Sequence, residues 1–249
     1  MKFLVITLLL FSVNVNQTES QDIRINVAAA ANTQFVMREL KEAFEAKHDI
    51  AVNLILGSSG KLSTQIMNGA PYHIFLAGNE AYADGLYNNM YAIEKPHIYA
   101  AGTSVLWTTK EISLSKDLTA LLDNQIATIA IASPKNAPYG LLAIKVLKDA
   151  GLYEDLKEKI VYGNSIAQVN QYLSLGTVDA GITAYSTVHA PAMKNIGKWV
   201  YIPEYHIKQA MVKLIHSKTN EREATGLFYD FLQSNTACEI FTKHGYFVN

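Results

Sequence analysis

Apolar and polar positions follow two different rhythms along this chain. Short, nearly continuous apolar runs at 23–29, 52–56, 73–77, 104–108, 128–132, 180–184 and 210–215 predict strands. Between them apolar residues recur every three or four positions. Val36, Leu40, Ala43 and Phe44 paint one face of a first helix, and Ala224, Leu227, Phe228, Phe231 and Leu232 do the same in a late one. Strands alternating with helices predict an α/β fold with a mainly parallel sheet. No internal repeat, low-complexity tract or Pro/Gly-rich linker interrupts the pattern.

The length of 249 residues accommodates one large domain or two smaller ones. If there are two lobes, the missing linker means that the chain passes between them through short hinges. The segments 99–102 and 206–209 are the best candidates, each polar or glycine-containing and leading into a new strand. This division gives a discontinuous lobe one, residues 21–100 plus 214–249, and a lobe two of residues 101–213.

Residues 1–20 stand apart. Lys2 precedes an apolar run over residues 3–11, and a polar stretch follows. A positive start, a short apolar core and a polar exit describe a secretory signal peptide, with the mature chain starting near Gln21. The rival reading is an uncleaved N-terminal anchor. No cysteine follows the run, which excludes a bacterial lipid anchor. Beyond it no stretch is long enough to span a bilayer, so the expected product is a soluble, exported protein. A net charge of -1 gives no general pull toward nucleic acid or acidic membranes. The single cysteine, Cys238, rules out an internal disulfide and reads as core filler.

One stretch, Gly57-Ser58-Ser59-Gly60-Lys61, lies between a strand-like run and a helical pattern containing Leu62 and Ile66. A helix start carries unpaired N–H donors and the positive end of the helix dipole, and small residues leave them uncovered. The stretch reads either as an anion cradle or as an ordinary cap closed by Ser58 or Ser59. Three further loops share the logic. They are Val27-Ala28-Ala29-Ala30-Ala31-Asn32-Thr33, where Asn32 or Thr33 can cap; Asn136-Ala137-Pro138-Tyr139-Gly140, where Pro138 favours a helix start; and Tyr162-Gly163-Asn164-Ser165-Ile166, where Asn164 or Ser165 can cap. Each alone is a plausible cap. In open α/β sheets, however, ligands gather at the carboxyl ends of strands, where all four loops are expected.

None of the four turns carries Asp, Glu or Arg, and Lys61 reads as a solvated surface residue. Donors without a carboxylate acceptor suit an anion that carries no proton, not hydrogen phosphate. Molybdate, tungstate and sulfate fit. Catalytic readings are weak: the chain lacks the Gly-x-Ser-x-Gly elbow, the phosphate-loop motif and His-Glu-x-x-His, and its seven histidines have no metal-ligand spacing. Tyr82, Tyr87 and Tyr91 read as helix packing, and Trp107 and Trp199 as core or inter-lobe residues.

Taken in order, residues 28–32, Gly57-Ser58-Ser59-Gly60-Lys61, Asn68-Gly69-Ala70-Pro71, Ala137-Pro138-Tyr139-Gly140 and Phe241-Thr242-Lys243-His244-Gly245-Tyr246 resemble the molybdate-binding periplasmic proteins of ABC importers. The likeness covers nearly all of residues 23–248. It implies a two-lobed, type II periplasmic-binding fold, each lobe a mainly parallel sheet flanked by helices, that closes on an oxyanion. It also implies ligand contacts at Ala31, Asn32, Ser59, Tyr139 and Ile166, matching the branch of the family that uses Asn and Tyr. Ala31 stands where many relatives carry Ser or Thr, and His73 replaces a frequent acidic residue. Tyr185 lies near a position where some relatives place a ligand-contacting tyrosine. The expected function is capture of molybdate, and of tungstate, by a periplasmic monomer that delivers it to a membrane-embedded ABC permease. No cofactor, no metal cation, no nucleic acid and no enzymatic step are expected. The alternatives are a receptor for sulfate or another oxyanion, and a ligand-sensing module.

Overall fold

A computed structural model describes residues 23–216 and 219–248, so the signal-peptide reading falls outside the described residues. The elements in chain order are β1 (Ile23–Ala30), α1 (Gln34–Glu45), β2 (Ile50–Gly57), α2 (Ser59–Met67), β3 (Ile74–Leu76), α3 (Glu80–Asn88), β4 (His97–Thr108), β5 (Ile129–Ala132), α4 (Pro138–Asp149), α5 (Tyr153–Leu156), β6 (Ile160–Gly163), α6 (Ile166–Ser174), β7 (Ala180–Ala184), α7 (Tyr185–His189), β8 (Lys198–Lys213), α8 (Thr219–Phe231) and α9 (Asn235–Lys243). The strands form a single sheet of order β2-β1-β3-β8-β4-β7-β5-β6.

The apolar runs of the outer strands follow from burial on both faces. Along β1, Ile25, Val27 and Ala29 pack on one side with α1, α8 and α9, while Ala28 faces Leu62, Ile66, Ala83 and Leu86 of α2 and α3 on the other. At the opposite end of the sheet the same alternation recurs in β5. Ile129 and Ile131 meet Leu142, Val146 and Leu147 of α4, and Ala130 and Ala132 meet Val169 and Leu173 of α6. The two-residue period of a strand thus divides each end of the sheet into two cores.

The parallel pairing that the pattern predicts is present at the two ends: β1 pairs with β2 and β3, and β5 with β6 and β7. The centre is antiparallel. There β3 pairs with β8, β8 with β4, and β4 with β7. The 12-residue β4 and the 16-residue β8 join the two parallel ends of the sheet. Their register slips between Ile98 and Ala100 and again between Gly102 and Ser104. Across the second slip, Gly102 faces Ile207 and Ser104 faces Ile202, so residues 203–206 bulge opposite Thr103 alone. The Thr103 hydroxyl bridges the bulge, 2.9 Å from the Ile202 carbonyl and 2.6 Å from that of Tyr205.

Segments 99–102 and 206–209, expected to lead into new strands, lie inside β4 and β8. Cys238 is partly exposed and borders an open groove with Leu232 and Phe247, so it is not core filler. His73 is buried: its Nδ1 accepts from the Asn26 N–H at 2.7 Å, and its Nε2 lies 3.0 Å from Glu221. Trp107 is fully buried, whereas Trp199 is 40% exposed.

Candidate functional site

The four loops singled out from the sequence follow the carboxyl ends of four parallel strands: Ala31 follows β1, Ser58 follows β2, residues 133–137 follow β5, and Asn164 follows β6. Two come from one end of the sheet and two from the other, and they meet. Ala30, Ala31, Asn32, Ser58, Ser59, Ala137, Pro138, Tyr139 and Ile166 line one small cavity of about 10 Å³. All five expected contact residues therefore border it. They are nearly closed to solvent: Ser59 is 1% exposed, Tyr139 and Ile166 3%, and Ala31 and Asn32 4%.

The donors are largely uncapped. Ser59 opens α2, Tyr139 is the second residue of α4, and Ile166 opens α6. Main-chain N–H groups at these positions have no partner one turn back within their own helix. No side chain caps α2, α4 or the 3-10 turn over Ala31–Thr33. The capping roles weighed for Ser58, Ser59, Asn32 and Thr33 are thus not taken up, because Thr33 bonds the Ala30 carbonyl and Ser59 turns elsewhere. Of the helices that open on the cavity, α6 has a side-chain cap: Ser165 Oγ accepts the Gln168 N–H at 3.4 Å, which leaves the Ile166 N–H uncovered.

Ser59 is held in a donating role. Its Oγ accepts the Gly78 N–H at 2.9 Å, so the hydroxyl proton remains to be given. Asn32 spends its side chain within the protein. Its Nδ2 donates to Gln209 Oε1 at 2.8 Å and to the Tyr246 hydroxyl at 3.2 Å, and its main-chain carbonyl accepts from that hydroxyl at 2.9 Å. The carboxamide braces the loop, and only the main-chain N–H of Asn32 is left for a ligand.

No lining residue is charged. The positive ends of α2, α4 and α6 supply the field instead. Behind the cavity stand the buried hydroxyls of Tyr99, Tyr139 and Tyr246. Burial pushes the Tyr246 phenol up to about 12, and burial with the neighbouring Tyr246 raises Tyr139 well above the ordinary range. These groups stay neutral and place no negative charge behind an anion. Lys61 is exposed, as expected.

Two glycines permit the close approach. The Gly60 N–H donates to the Asn136 carbonyl at 2.9 Å, joining the α2 start to the loop before α4. A Cβ on Gly60 would sit 3.1 Å from both the Cα and the carbonyl oxygen of Asn136. At Gly140 a Cβ would come 2.2 Å from the Ala132 carbonyl oxygen, so only glycine lets α4 start against the end of β5.

Tyr185 lies off the cavity, packed against His189, Trp199 and Tyr201. Among the described residues no group of three or more His, Cys, Asp or Glu side chains is placed to hold a metal ion, and no helix is long and apolar enough to cross a membrane.

A family model described as bacterial extracellular solute-binding protein matches residues 25–247. The chain belongs to this family. Among the solute-binding proteins it resembles, the molybdate-binding protein ModA of Rhodobacter capsulatus is 34% identical over 221 residues, which are 88% of this chain and 86% of that protein. The molybdate-binding protein ModA of Azotobacter vinelandii is 32% identical over 231 residues, 91% of each chain. The solved periplasmic molybdate-binding protein of Azotobacter vinelandii superposes with a TM-score of 0.85 at 30% identity, covering 90% of this chain and 99% of that one. As in that relative, the solute-binding protein described here has the α/β periplasmic-binding fold.

Proposed function

We propose that this solute-binding protein captures molybdate, and tungstate with it, as the doubly charged tetrahedral ion. The observation that carries the reading is the convergence of loops following β1, β2, β5 and β6 on one cavity with no charged lining residue, in a chain about a third identical to molybdate-binding proteins. Ser59 donates its hydroxyl and N–H, and Ala31, Asn32, Tyr139 and Ile166 donate main-chain N–H groups. Hydrogen bonds to an ionised acceptor are shorter and stronger than neutral ones. No carboxylate is present to receive a proton, which disfavours hydrogen phosphate.

Two lobes close on the ion: residues 21–100 with 214–249, and residues 101–213. They hinge where β4 and β8 slip register, and closure is driven by the closed form's higher affinity. The cavity has room for about one water. A four-oxygen ion therefore enters through an opened form, with the Gly60–Asn136 bond broken, and the lobes close on it around a cradle wider than this cavity. The protein works as an exported, periplasmic monomer, with its signal peptide in residues 1–20, and passes the ion to an ABC permease without a covalent step.

The test is molybdenum content after exposure of the purified mature chain to molybdate and desalting. Retention of one molybdenum per chain, displaced by tungstate and not by excess sulfate, is expected. Equal displacement by sulfate would transfer the reading to a general oxyanion receptor.

A further inference from the structure

The crossing of β4 and β8 contains a polar residue that the cavity does not touch. Gln209 is fully buried and pairs with Ala100 at the first register slip. Its Oε1 accepts from Asn32 Nδ2 and from the Tyr99 hydroxyl, both at 2.8 Å. Its Nε2 donates to the Tyr139 hydroxyl at 3.3 Å. One carboxamide thus holds the loop after β1 on one side and the start of α4 on the other.

The network reaches further. The Tyr99 hydroxyl also lies 3.2 Å from the Ala77 carbonyl, and the next residue, Gly78, gives its N–H to Ser59. Asn32, Ser59 and Tyr139, three of the cradle residues, are therefore each tied to Gln209 directly or through Tyr99 and the 77–78 turn. Gly102 keeps the space open: a Cβ there would fall 2.2 Å from the Tyr139 hydroxyl and 2.5 Å from Gln209 Nε2. A fully buried carboxamide in a strand centre is expensive without partners, so removing one of these bonds leaves a buried polar group unpaired.

We propose that Gln209 is the positioning residue that locks the two halves of the cradle into register in the closed form, so that retention of the bound oxyanion depends on it without contact. The inference rests on the cradle assignment proposed above. When Asn32, Ser59 and Tyr139 are held by one network, the donors are pre-set and little ordering remains to be done on binding. Encounter with the ion takes place in the opened form. Loss of Gln209 should therefore appear in the dissociation rate and leave association nearly unchanged.

The experiment measures molybdate binding by stopped-flow tryptophan fluorescence and calorimetry for Gln209→Leu, Tyr139→Phe, their combination, Gly102→Ala and Ser59→Asp. Tyr139→Phe removes the hydroxyl and keeps the main-chain donor. Gln209→Leu and Tyr139→Phe are each expected to raise Kd about tenfold through faster release, the scale of one buried hydrogen bond. The double variant should be little worse than Gln209→Leu alone, because both remove one link. Gly102→Ala pries the same contact apart with every polar group present, and gives the same rise in release rate if Gln209→Leu does not fold. Wild-type release from folded Gln209→Leu or from Gly102→Ala overturns the proposal. Strictly additive effects, or a loss confined to association, also overturn it. Abolished binding in Ser59→Asp beside wild-type release in Gln209→Leu would sink this inference alone. Wild-type binding in Ser59→Asp would remove the cradle assignment beneath it.

Discussion

Replacing Ser59 by Asp puts a carboxylate where the cradle offers a hydroxyl donor. Ser59 is 1% exposed and borders the cavity, so the new charge cannot swing into solvent. A single negative charge about 4 Å from a dianion, at an effective dielectric of about 20, costs about 8 kcal/mol. The carboxyl can escape by taking a proton, which from an ordinary pKa near 4 costs about 4 kcal/mol at pH 7. The cheaper route wins, so molybdate affinity should fall at least about a thousandfold at pH 7. It should then recover as pH is lowered, because the protonated carboxyl is a donor. The fold should survive, since a carboxylate oxygen can accept the Gly78 N–H that Ser59 accepts now. Calorimetric titration at constant ionic strength, at pH 7 and pH 5.5, reads both effects. Lys61→Ala, at an exposed position, is the control and should bind as wild type. A Ser59→Asp protein that binds within tenfold of wild type at pH 7 would refute the reasoning.

Three further outcomes are expected. Gly60→Val crowds the Asn136 backbone, 3.1 Å from the first added carbon, and overpacking of about 1–3 kcal/mol should weaken binding about tenfold or more by titration. Burial alone would raise the Asp179 carboxyl, but bonds from Lys110 and from the side chain and main chain of Thr128, with the Ala127 N–H, pull it down to about 2 from 3.8. Its stabilisation, about 1–2 kcal/mol, is present above pH 3.8 and is lost as pH falls through about 2. Denaturant titrations should show Asp179→Asn less stable at pH 7, with most of the difference gone at pH 2. Partial desolvation of the otherwise exposed His189, with the positive charges of His244 and Lys194 nearby, lowers its pKa. The neutral form is favoured on folding, so this contribution is complete above pH 6.5 and declines below it. Melting temperature should drop from pH 7 to pH 5, and His189→Phe should flatten the drop.

The stretches buried on both faces, residues 27–30 of β1 and all of β5, are legible as apolar runs because an unpaired polar group there is costly. The short strand β6 was hidden: it is half-exposed, lies at the sheet edge and follows Lys157-Glu158-Lys159. Residues 198–209 of β8 were hidden too, because Pro203 and Glu204 fall in the bulge and Lys208, though paired with Ala101, breaks the apolar pattern. The cradle loops were legible since close approach demands small residues, and small residues leave a mark in sequence. Their bracing was not. Gln209 is one polar residue among many, and its partners Asn32, Tyr99 and Tyr139 lie 177, 110 and 70 positions away. Tyr246 stood within a recognised C-terminal motif, but its bond to the Asn32 carbonyl spans 214 positions. Long-range side-chain networks leave no periodicity, which is why nothing in the sequence marked the Asn32 carboxamide as a strut.

Calorimetry of the mature protein against molybdate, tungstate, sulfate, phosphate and a panel of carboxylates and sugars tests the central claim most directly. One site per chain for molybdate and tungstate, with sulfate much weaker and phosphate and the organic solutes silent, is the expected result. Saturable binding of an organic solute with no heat from either molybdate or tungstate would contradict the account.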